Sequence, residues 1–177
     1  YLTAARSCAS SSLENLVVGT RLKRSFKDGV AKFNGYLEDY SQLINGLISL
    51  HESTLDVKWL IEAKSLTDRM ISLFWNDGQR LFYDTGTDHE QLLIRPRDVF
   101  DNAVPCGSST AVGVLLRLGL ITGNKQYVNI AKLGIESIAT WVASHPLGFG
   151  NWLAATEFYL SIPKEISIVG DTKDRAV

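Results

Sequence analysis

The sequence predicts a mainly α-helical protein in which helices form stacked pairs, with short β-hairpins in the connections. Two observations lead to this prediction: apolar residues recur at helical spacing through most of the chain, and one helix-pair pattern repeats at a fixed offset. The chain has 177 residues, the size of one ordinary domain or of part of a larger one. Its 45% apolar and 21% charged residues are typical of a globular protein and exclude a disordered or collagen-like chain.

The first predicted helix pair occupies the second quarter of the chain. Apolar spacing predicts a helix over about 36–53 that is buried over most of its circumference. Asp56 has the character of an N-cap, and the apolar stripe after it predicts a second helix that ends near residue 74.

The second predicted pair follows a loop-like stretch over 84–108. Its first helix begins near residue 109, is apolar nearly all round and should be the most buried. Gly123-Asn124 ends that helix, and an amphipathic helix follows. A further central helix is predicted over roughly 150–161.

Turn dipeptides predict two short hairpins, one over 17–33 around Asp28-Gly29 and one over 75–84 around Asp77-Gly78.

The helix pairs repeat at an offset of 68 residues. Trp59 with Ala63 matches Tyr127 with Ala131, and each aromatic residue follows a candidate cap by three positions. Such a period is typical of helix pairs that stack to bury a core that one pair cannot bury alone.

Polar residues are concentrated where the predicted central helices begin, in segments 36–40, 95–109 and 147–152. Because each pair is antiparallel, the central helices should be parallel to one another, and their N-termini should share one rim. Unpaired N–H groups and positive dipole ends at that rim, together with carboxylates, aromatic rings and arginines, suit a polar ligand such as a sugar.

The candidate catalytic and binding residues come from these segments. The candidate acid–base residues are Glu38, Asp39, Asp98 and Asp101. The candidate sugar-binding residues are Tyr36, Tyr40, Arg95, Arg97, Asn102, Ser108 and Trp152. One carboxylic acid with a raised pKa would donate a proton, and an ionised partner would accept one or activate water. We expect Asp39 to share a cavity wall with Asp98 or Asp101, with Arg95 or Arg97 holding one aspartate ionised.

Structural roles are the alternatives for the same residues. Acidic residues in a first helical turn, such as Glu38 and Asp39, ordinarily complement the helix dipole. Ser108 or Ser109 has the chemistry of an N-cap, and the charged residues over 95–101 could form a structural ion-pair network.

Several classes of function are excluded or disfavoured. The net charge of −1 gives no basic footprint for nucleic acid or anionic lipid. No apolar run approaches the roughly 18 residues of a membrane span, and no signal peptide is visible. Cys8 and Cys106 form no paired motif, which predicts reduced thiols and a cytoplasmic location. The three histidines have no metal-ligand spacing, so neither a metal nor a cofactor is expected.

Five groups of motifs occur in one order: YLEDY at 36–40, DVKW at 56–59, LFW at 73–75 with FYDT at 82–85, RPRDVFDNAVPCGSS at 95–109 and KEISIVGD at 164–171. Together they resemble the YyaL-like proteins, also called spermatogenesis-associated protein 20-like or DUF255 proteins.

This resemblance implies an all-α fold of helical hairpin repeats that form part of an (α/α)6 toroid, similar to N-acylglucosamine 2-epimerases and six-hairpin glycosidases. It places the partial toroid at 1–161 and the start of a C-terminal β-containing segment at 162–177. It also implies an N-terminal thioredoxin-like domain elsewhere in the full-length protein, as a partner of this region.

The site residues match the family pattern unevenly. Glu38 and Asp39 match its YLEDY motif, and Arg95, Asp98 and Asp101 match its RPKD-x-x-D pattern. Three later positions depart from the pattern, with Asn102 in place of Gly, Cys106 in place of Ser and Ser108 in place of Asn.

Two functions of different classes follow from these observations. One is sugar epimerase-like or glycosidase-like acid–base chemistry in a carbohydrate-type pocket. The alternative is a non-catalytic binding or scaffold module that serves the thioredoxin-like domain.

Stacked helix pairs need polar capping units, so we also expect these 177 residues alone to associate, aggregate or form part of a longer chain.

Overall fold

The computed structural model describes residues 1–90, 93–164 and 166. Helices dominate this part of the chain. They are α1 (Leu2–Leu16), α2 (Leu37–Thr54), α3 (Val57–Phe74), α4 (Gly107–Thr122), α5 (Lys125–Ser144) and α6 (Gly150–Leu160), with a 3-10 turn at Pro146–Gly148. The strands are β1 (Val17–Val18), β2 (Arg21–Lys27), β3 (Val30–Asn34), β4 (Trp75–Asn76) and β5 (Leu81–Phe82).

Both predicted hairpins are confirmed. β2 pairs with β3 in antiparallel register, with Lys27 opposite Val30, and the turn residues Asp28 and Gly29 both have positive φ angles. That backbone suits an Asp-Gly hairpin turn because its dihedrals match the twist of the strands. β4 and β5 form the second hairpin. The sequence did not predict β1, which pairs with the start of β2 and makes the first sheet three-stranded.

Local signals fix the two helix pairs. Asp56 caps α3 by accepting a hydrogen bond from the backbone N–H of Lys58, and Asn124 caps α5 in the same way through Gln126. Gly123 ends α4 in the left-handed conformation, at a φ of 68° that glycine adopts at little cost. The predicted pairs, α2 with α3 and α4 with α5, are therefore confirmed together with their caps.

The core surrounds α4, which packs against α2, α5 and α6. Its buried residues cover most of its circumference, as its apolar sequence predicts. The repeat residues occupy equivalent core positions, since Trp59, Ala63, Tyr127 and Ala131 are all buried.

The inner helices α2 and α4 lie side by side and point in the same direction. Gln42 hydrogen-bonds to Thr110 near their N-termini, and Arg117 hydrogen-bonds to Ser49 further along. Both contacts join residues 68 positions apart, which is the offset of the sequence repeat. Equivalent positions of neighbouring repeats thus face each other, and the N-termini of α2 and α4 lie at one rim.

The ends of the chain contribute less to the core. α1 has no fully buried residue and contacts the core through partly buried Ala9, Leu13 and Leu16. The described residues 162–164 and 166 form no helix or strand, and the rest of the predicted C-terminal β-containing segment over 162–177 lies outside the described residues.

Candidate functional site

A cavity of about 510 Å³ lies at the rim where α2 and α4 begin. We call it the carboxylate cavity. Its walls are formed by Arg24, Tyr36, Glu38, Asp84, Asp98, Cys106 and Gly107.

Backbone contacts bring three distant segments together around this cavity. The N–H of Leu37 at the start of α2 donates to the carbonyl of Asp84 (2.9 Å), and the N–H of Asp84 donates to the carbonyl of Pro96 (3.0 Å). Gly107 packs directly on the first turn of α2, where an added Cβ would lie 2.9 Å from the backbone nitrogen of Glu38. The segments around residues 36–40 and 95–109 therefore meet at one place.

Asp84 is the half-buried carboxyl group of the cavity. Its Oδ2 atom accepts a hydrogen bond from the backbone N–H of Asp98 (2.7 Å). Burial raises the pKa of the Asp84 carboxyl because it disfavours the charged form, and the negative charges of Asp98 and Glu38 raise that pKa further. The hydrogen bond from Asp98 and the charge of Arg97 act in the opposite direction without cancelling the rise.

Asp98 is exposed at the same cavity, where its Oδ1 atom accepts from the N–H of Phe100 (3.0 Å). Within residues 1–90, 93–164 and 166, neither Asp84 nor Asp98 forms an ion pair. Two carboxyl groups that differ in burial thus face one cavity, and neither forms an ion pair with a described residue.

A guanidinium group on strand β2 closes another side of the cavity. Arg24 donates from Nη1 to Oε1 of Glu38 (2.8 Å) and to Oδ2 of Asp39 (3.0 Å), and it lies 4.8 Å from the centre of the Tyr36 ring. Asp39 also accepts from the backbone N–H of Tyr36 (2.8 Å) at the start of α2. Asp39 lines a neighbouring cavity, whereas Glu38 lines both.

Asp101 does not line the carboxylate cavity and instead lies in a closed network of hydrogen bonds. Its Oδ1 atom accepts from the N–H of Cys106 (3.0 Å) and the hydroxyl of Ser109 (2.6 Å). Its Oδ2 atom accepts from the N–H groups of Asn151 (2.8 Å) and Trp152 (3.2 Å). Asp101 thereby joins the N-termini of α4 and α6, where a negative charge also complements both helix dipoles.

Of the three aromatic residues predicted to stack on a sugar, only Tyr36 lines the carboxylate cavity. Tyr40 is fully buried, and its hydroxyl accepts from the N–H of Leu22 (2.9 Å). Trp152 is 2% exposed, and its Nε1 donates to the carbonyl of Val99 (2.9 Å). The structure places both of these side chains in the core.

The remaining predicted binding residues lie outside the cavity wall. The Arg95 guanidinium stacks 4.2 Å from the centre of the Tyr83 ring and donates to the carbonyl of Thr85. Arg97 and Asn102 are exposed, and Ser108 is buried beneath the rim. In the described part of the chain, neither Arg95 nor Arg97 forms the expected ion pair with Asp98 or Asp101.

The N-cap of α4 is Cys106, whereas the sequence pointed to Ser108 or Ser109. The Cys106 sulfur accepts from the N–H of Ser109 (3.4 Å), and the hydroxyl of Ser109 bonds instead to Asp101. Burial raises the pKa of the Cys106 thiol, which keeps it protonated and unreactive. Cys8 is a free thiol on the exposed surface of α1.

Two of the four charged residues of this cavity, Arg24 and Asp84, were not predicted from the sequence. Asp84 lies two residues after the end of strand β5, and its place in the FYDT motif was a usable signal. Arg24 lies on a solvated hairpin strand, and its pairing with Glu38 depends on how that hairpin folds over α2.

Residues 1–90, 93–164 and 166 contain no cluster of three or more metal-ligating side chains. None of their helices combines the length and the hydropathy that crossing a bilayer requires.

Comparison with known proteins gives one consistent relationship. No protein-family model matches the chain. It is 29% identical over 141 residues to spermatogenesis-associated protein 20 of Rattus norvegicus, an alignment that covers 77% of this chain and 18% of that protein. The human protein of the same name is 29% identical over 138 residues, with the same coverage.

The chain is distantly homologous to part of spermatogenesis-associated protein 20. It spans about 18% of the length of these curated relatives. This homology agrees with the resemblance seen in the sequence motifs.

Proposed function

We propose that this chain is part of a helical toroid that binds a carbohydrate at its rim and performs acid–base chemistry on it. The observation that carries the proposal is the carboxylate cavity. There, Asp84 has a raised pKa, and Asp98 and Glu38 supply further carboxyl groups on the same walls. A carboxylic acid with a raised pKa beside further carboxyl groups in one cavity is the arrangement that proton transfer to and from a sugar requires.

Each residue has a defined part in this chemistry. Asp84 donates the proton, because burial disfavours its charged form and raises its pKa. Asp98 has no basic partner among the described residues and accepts a proton or activates water. The ring of Tyr36 offers a face on which a sugar can pack, and Glu38, held by Arg24, accepts hydrogen bonds from hydroxyl groups.

The arrangement of the helices supports the proposed toroid. Neighbouring repeats meet in register at the 68-residue offset, which is how successive helix pairs of a closed ring would stack. α6 follows the second pair and exposes Leu153 and Leu160, as expected of a helix that receives a further neighbour.

The test is an isosteric change of the proposed acid. Asp84→Asn in the intact protein should lower turnover by about 100-fold or more, because amides cannot donate the proton that general acid catalysis uses. NMR of neutral mono- and disaccharides incubated with the protein would detect both epimerisation and hydrolysis. Asp28→Asn, the same change at an exposed turn, is the matched control. Equal turnover by the Asp84→Asn variant and the wild type would exclude this assignment.

A non-catalytic module is the second candidate, and one observation favours it. Two of the four predicted carboxyl groups, Glu38 and Asp39, are already paired with Arg24. In that case the rim would present an ion-paired surface to the proposed thioredoxin-like domain. Arg24→Glu should then weaken binding between separately expressed domains, whereas the enzyme hypothesis predicts that it alters turnover and leaves that binding unchanged.

A further inference from the structure

We infer that a second cavity, between α2, α4 and α6, binds sugar units of a neutral oligosaccharide whose other end lies in the carboxylate cavity. The ligand class rests on the proposed carbohydrate function. This second cavity has a volume of about 220 Å³, and we call it the amide cavity. Its polar and aromatic lining is formed by Gln42, Asn45, Thr110, Arg117, Asn151 and Phe158.

The hydrogen-bonding groups of the amide cavity suit hydroxyl groups. The carbonyl oxygen of Asn45 accepts from Arg117, which leaves its NH2 group as a donor within the described part of the chain. The NH2 group of Asn151 donates to Ser109 (3.0 Å), which leaves its carbonyl oxygen as an acceptor. Sugar hydroxyls both donate and accept, so they match a lining that offers both kinds of group.

The charge of the amide cavity favours a neutral ligand. Arg117 is the charged residue of its lining, and its guanidinium donates to the carboxylate of Glu52 (2.6 Å). An ion that entered would therefore meet no unpaired opposite charge there. Phe158, which is partly exposed, adds an apolar surface of the kind that packs against a sugar ring.

A third cavity of about 300 Å³ shares lining residues with both of these cavities. Arg24 and Glu38 line both this middle cavity and the carboxylate cavity, and Gln42 and Pro105 line both the middle cavity and the amide cavity. Glu38 and Asn45 lie about 10 Å apart along the axis of α2, from a rise of about 1.5 Å per residue. That span is longer than one sugar ring, so the ligand contains several units.

Gly113 provides a way to fill the amide cavity without removing a hydrogen bond. It lines the cavity, and a Cβ added there would meet no atom within 4 Å. Gly113→Leu should therefore occupy the cavity and leave the fold intact. Gly46 also has open space around an added Cβ but does not line the cavity, so Gly46→Leu is the matched control.

The experiment is calorimetric titration of the intact protein with maltohexaose, cellohexaose, N-acetylchitohexaose and the corresponding monosaccharides. At least one hexasaccharide should bind more tightly than its monosaccharide. Gly113→Leu should weaken that binding about tenfold or more, the equivalent of one or two lost hydrogen bonds, and leave the monosaccharide affinity within about twofold. Gly46→Leu should change neither. Ala154→Phe, at another lining position, repeats the test if Gly113→Leu does not fold.

Two results overturn the inference: no hexasaccharide binds more tightly than its monosaccharide, or filling the amide cavity leaves hexasaccharide binding unchanged. Asp84→Asn separates this outcome from failure of the proposed function. If Asp84→Asn abolishes turnover while the cavity-filling variants have no effect, only the oligosaccharide inference fails. If the cavity-filling variants weaken binding while Asp84→Asn leaves turnover unchanged, the inference stands and the acid–base assignment fails.

Discussion

Asp84 and Asp101 lie at the same rim of the helical stack but in opposite surroundings. Asp101 accepts four hydrogen bonds, two on each oxygen, and joins α4 to α6. Asp84 accepts one backbone N–H through Oδ2 and lines a cavity of about 510 Å³. One carboxylate is fully satisfied by the protein, and the other retains unused hydrogen-bonding capacity and a raised pKa.

The difference shows why a carboxylate in a polar motif does not by itself indicate chemistry. A fully hydrogen-bonded aspartate has no lone pair left for a ligand, so its contribution is to the structure. A half-buried aspartate with few donors has both a free face and a perturbed proton affinity. Substitutions at Asp101 should therefore change stability, whereas substitutions at Asp84 should change turnover.

The largest effect on stability should come from Asp101→Asn. The amide NH2 group cannot accept the two hydrogen bonds made to one oxygen, and the charge at two helix N-termini is lost. We expect the free energy of unfolding to fall by about 3 kcal/mol in urea denaturation. Asp84→Asn should change the free energy of unfolding by less than about 1 kcal/mol. Similar losses for the two variants would show that Asp84 and Asp101 do not differ in structural role.

A smaller loss should follow Gly107→Ala, at the contact between α2 and α4. The new Cβ would lie 2.9 Å from the backbone nitrogen of Glu38 and 3.2 Å from its Cα, so the helices must separate. Overpacking of this kind costs about 1–3 kcal/mol. Gly113→Ala, whose Cβ meets open space, should instead stabilise the helix by about 0.5–1 kcal/mol. Chemical denaturation of both variants measures whether the free energy of unfolding falls or rises. An unchanged free energy of unfolding for Gly107→Ala would show that α2 and α4 pack less closely at this contact.

Ser109→Ala tests one donor of the Asp101 network. The hydroxyl of Ser109 donates to Asp101 (2.6 Å) and accepts from the NH2 group of Asn151 (3.0 Å). Loss of a hydrogen bond to a charged group predicts a decrease of about 1.5 kcal/mol in the free energy of unfolding. Sugar turnover should be unaffected, since Ser109 does not line the carboxylate cavity. A loss of turnover at full stability would instead place the Asp101 network in the reaction.

The smallest effect is the pH dependence of Asp84. Its pKa in the folded state is above the unfolded value of about 3.9, so folding favours the protonated form. The stabilisation is therefore present below that unfolded value and is lost as pH rises through the folded pKa. Relative to wild type, Asp84→Asn should become more stable as pH rises from about 3 to 7. Thermal midpoints across that range measure the trend, and a constant difference between the two proteins would contradict it.

Much of the fold could be predicted because its signals are local. Asp56 and Asn124 cap their helices through contacts two residues away, and Asp28-Gly29 and Asp77-Gly78 form turns at the predicted positions. These features depend on neighbours in the chain, so spacing and residue type suffice. The short strand β1 was missed because two residues carry no periodicity of their own.

The candidate site was less predictable because long-range packing determines it. Asp84 could not be predicted as a site residue because its burial depends on contacts with Leu37 and Pro96. Asp101 and Asp98 are equivalent in the motif, yet only Asp101 meets the N-terminus of α6, 50 positions along the chain. Composition and spacing indicated where the polar segments lie. They did not indicate which carboxyl group is fully hydrogen-bonded within the protein and which one is left for a ligand.

The capping thiol of α4 has a practical consequence. Cys106 is 9% exposed and is the N-cap of α4, where its N–H donates to Asp101, whereas Cys8 is exposed. An alkylating reagent should modify Cys8 rapidly and Cys106 slowly, because the Cys106 side chain is buried and its sulfur accepts a hydrogen bond from the N–H of Ser109. Each molecule thus carries a fast reference thiol and a slow reporter thiol. The delay between the first and second mass increments measures how well the start of α4 protects that thiol under native conditions.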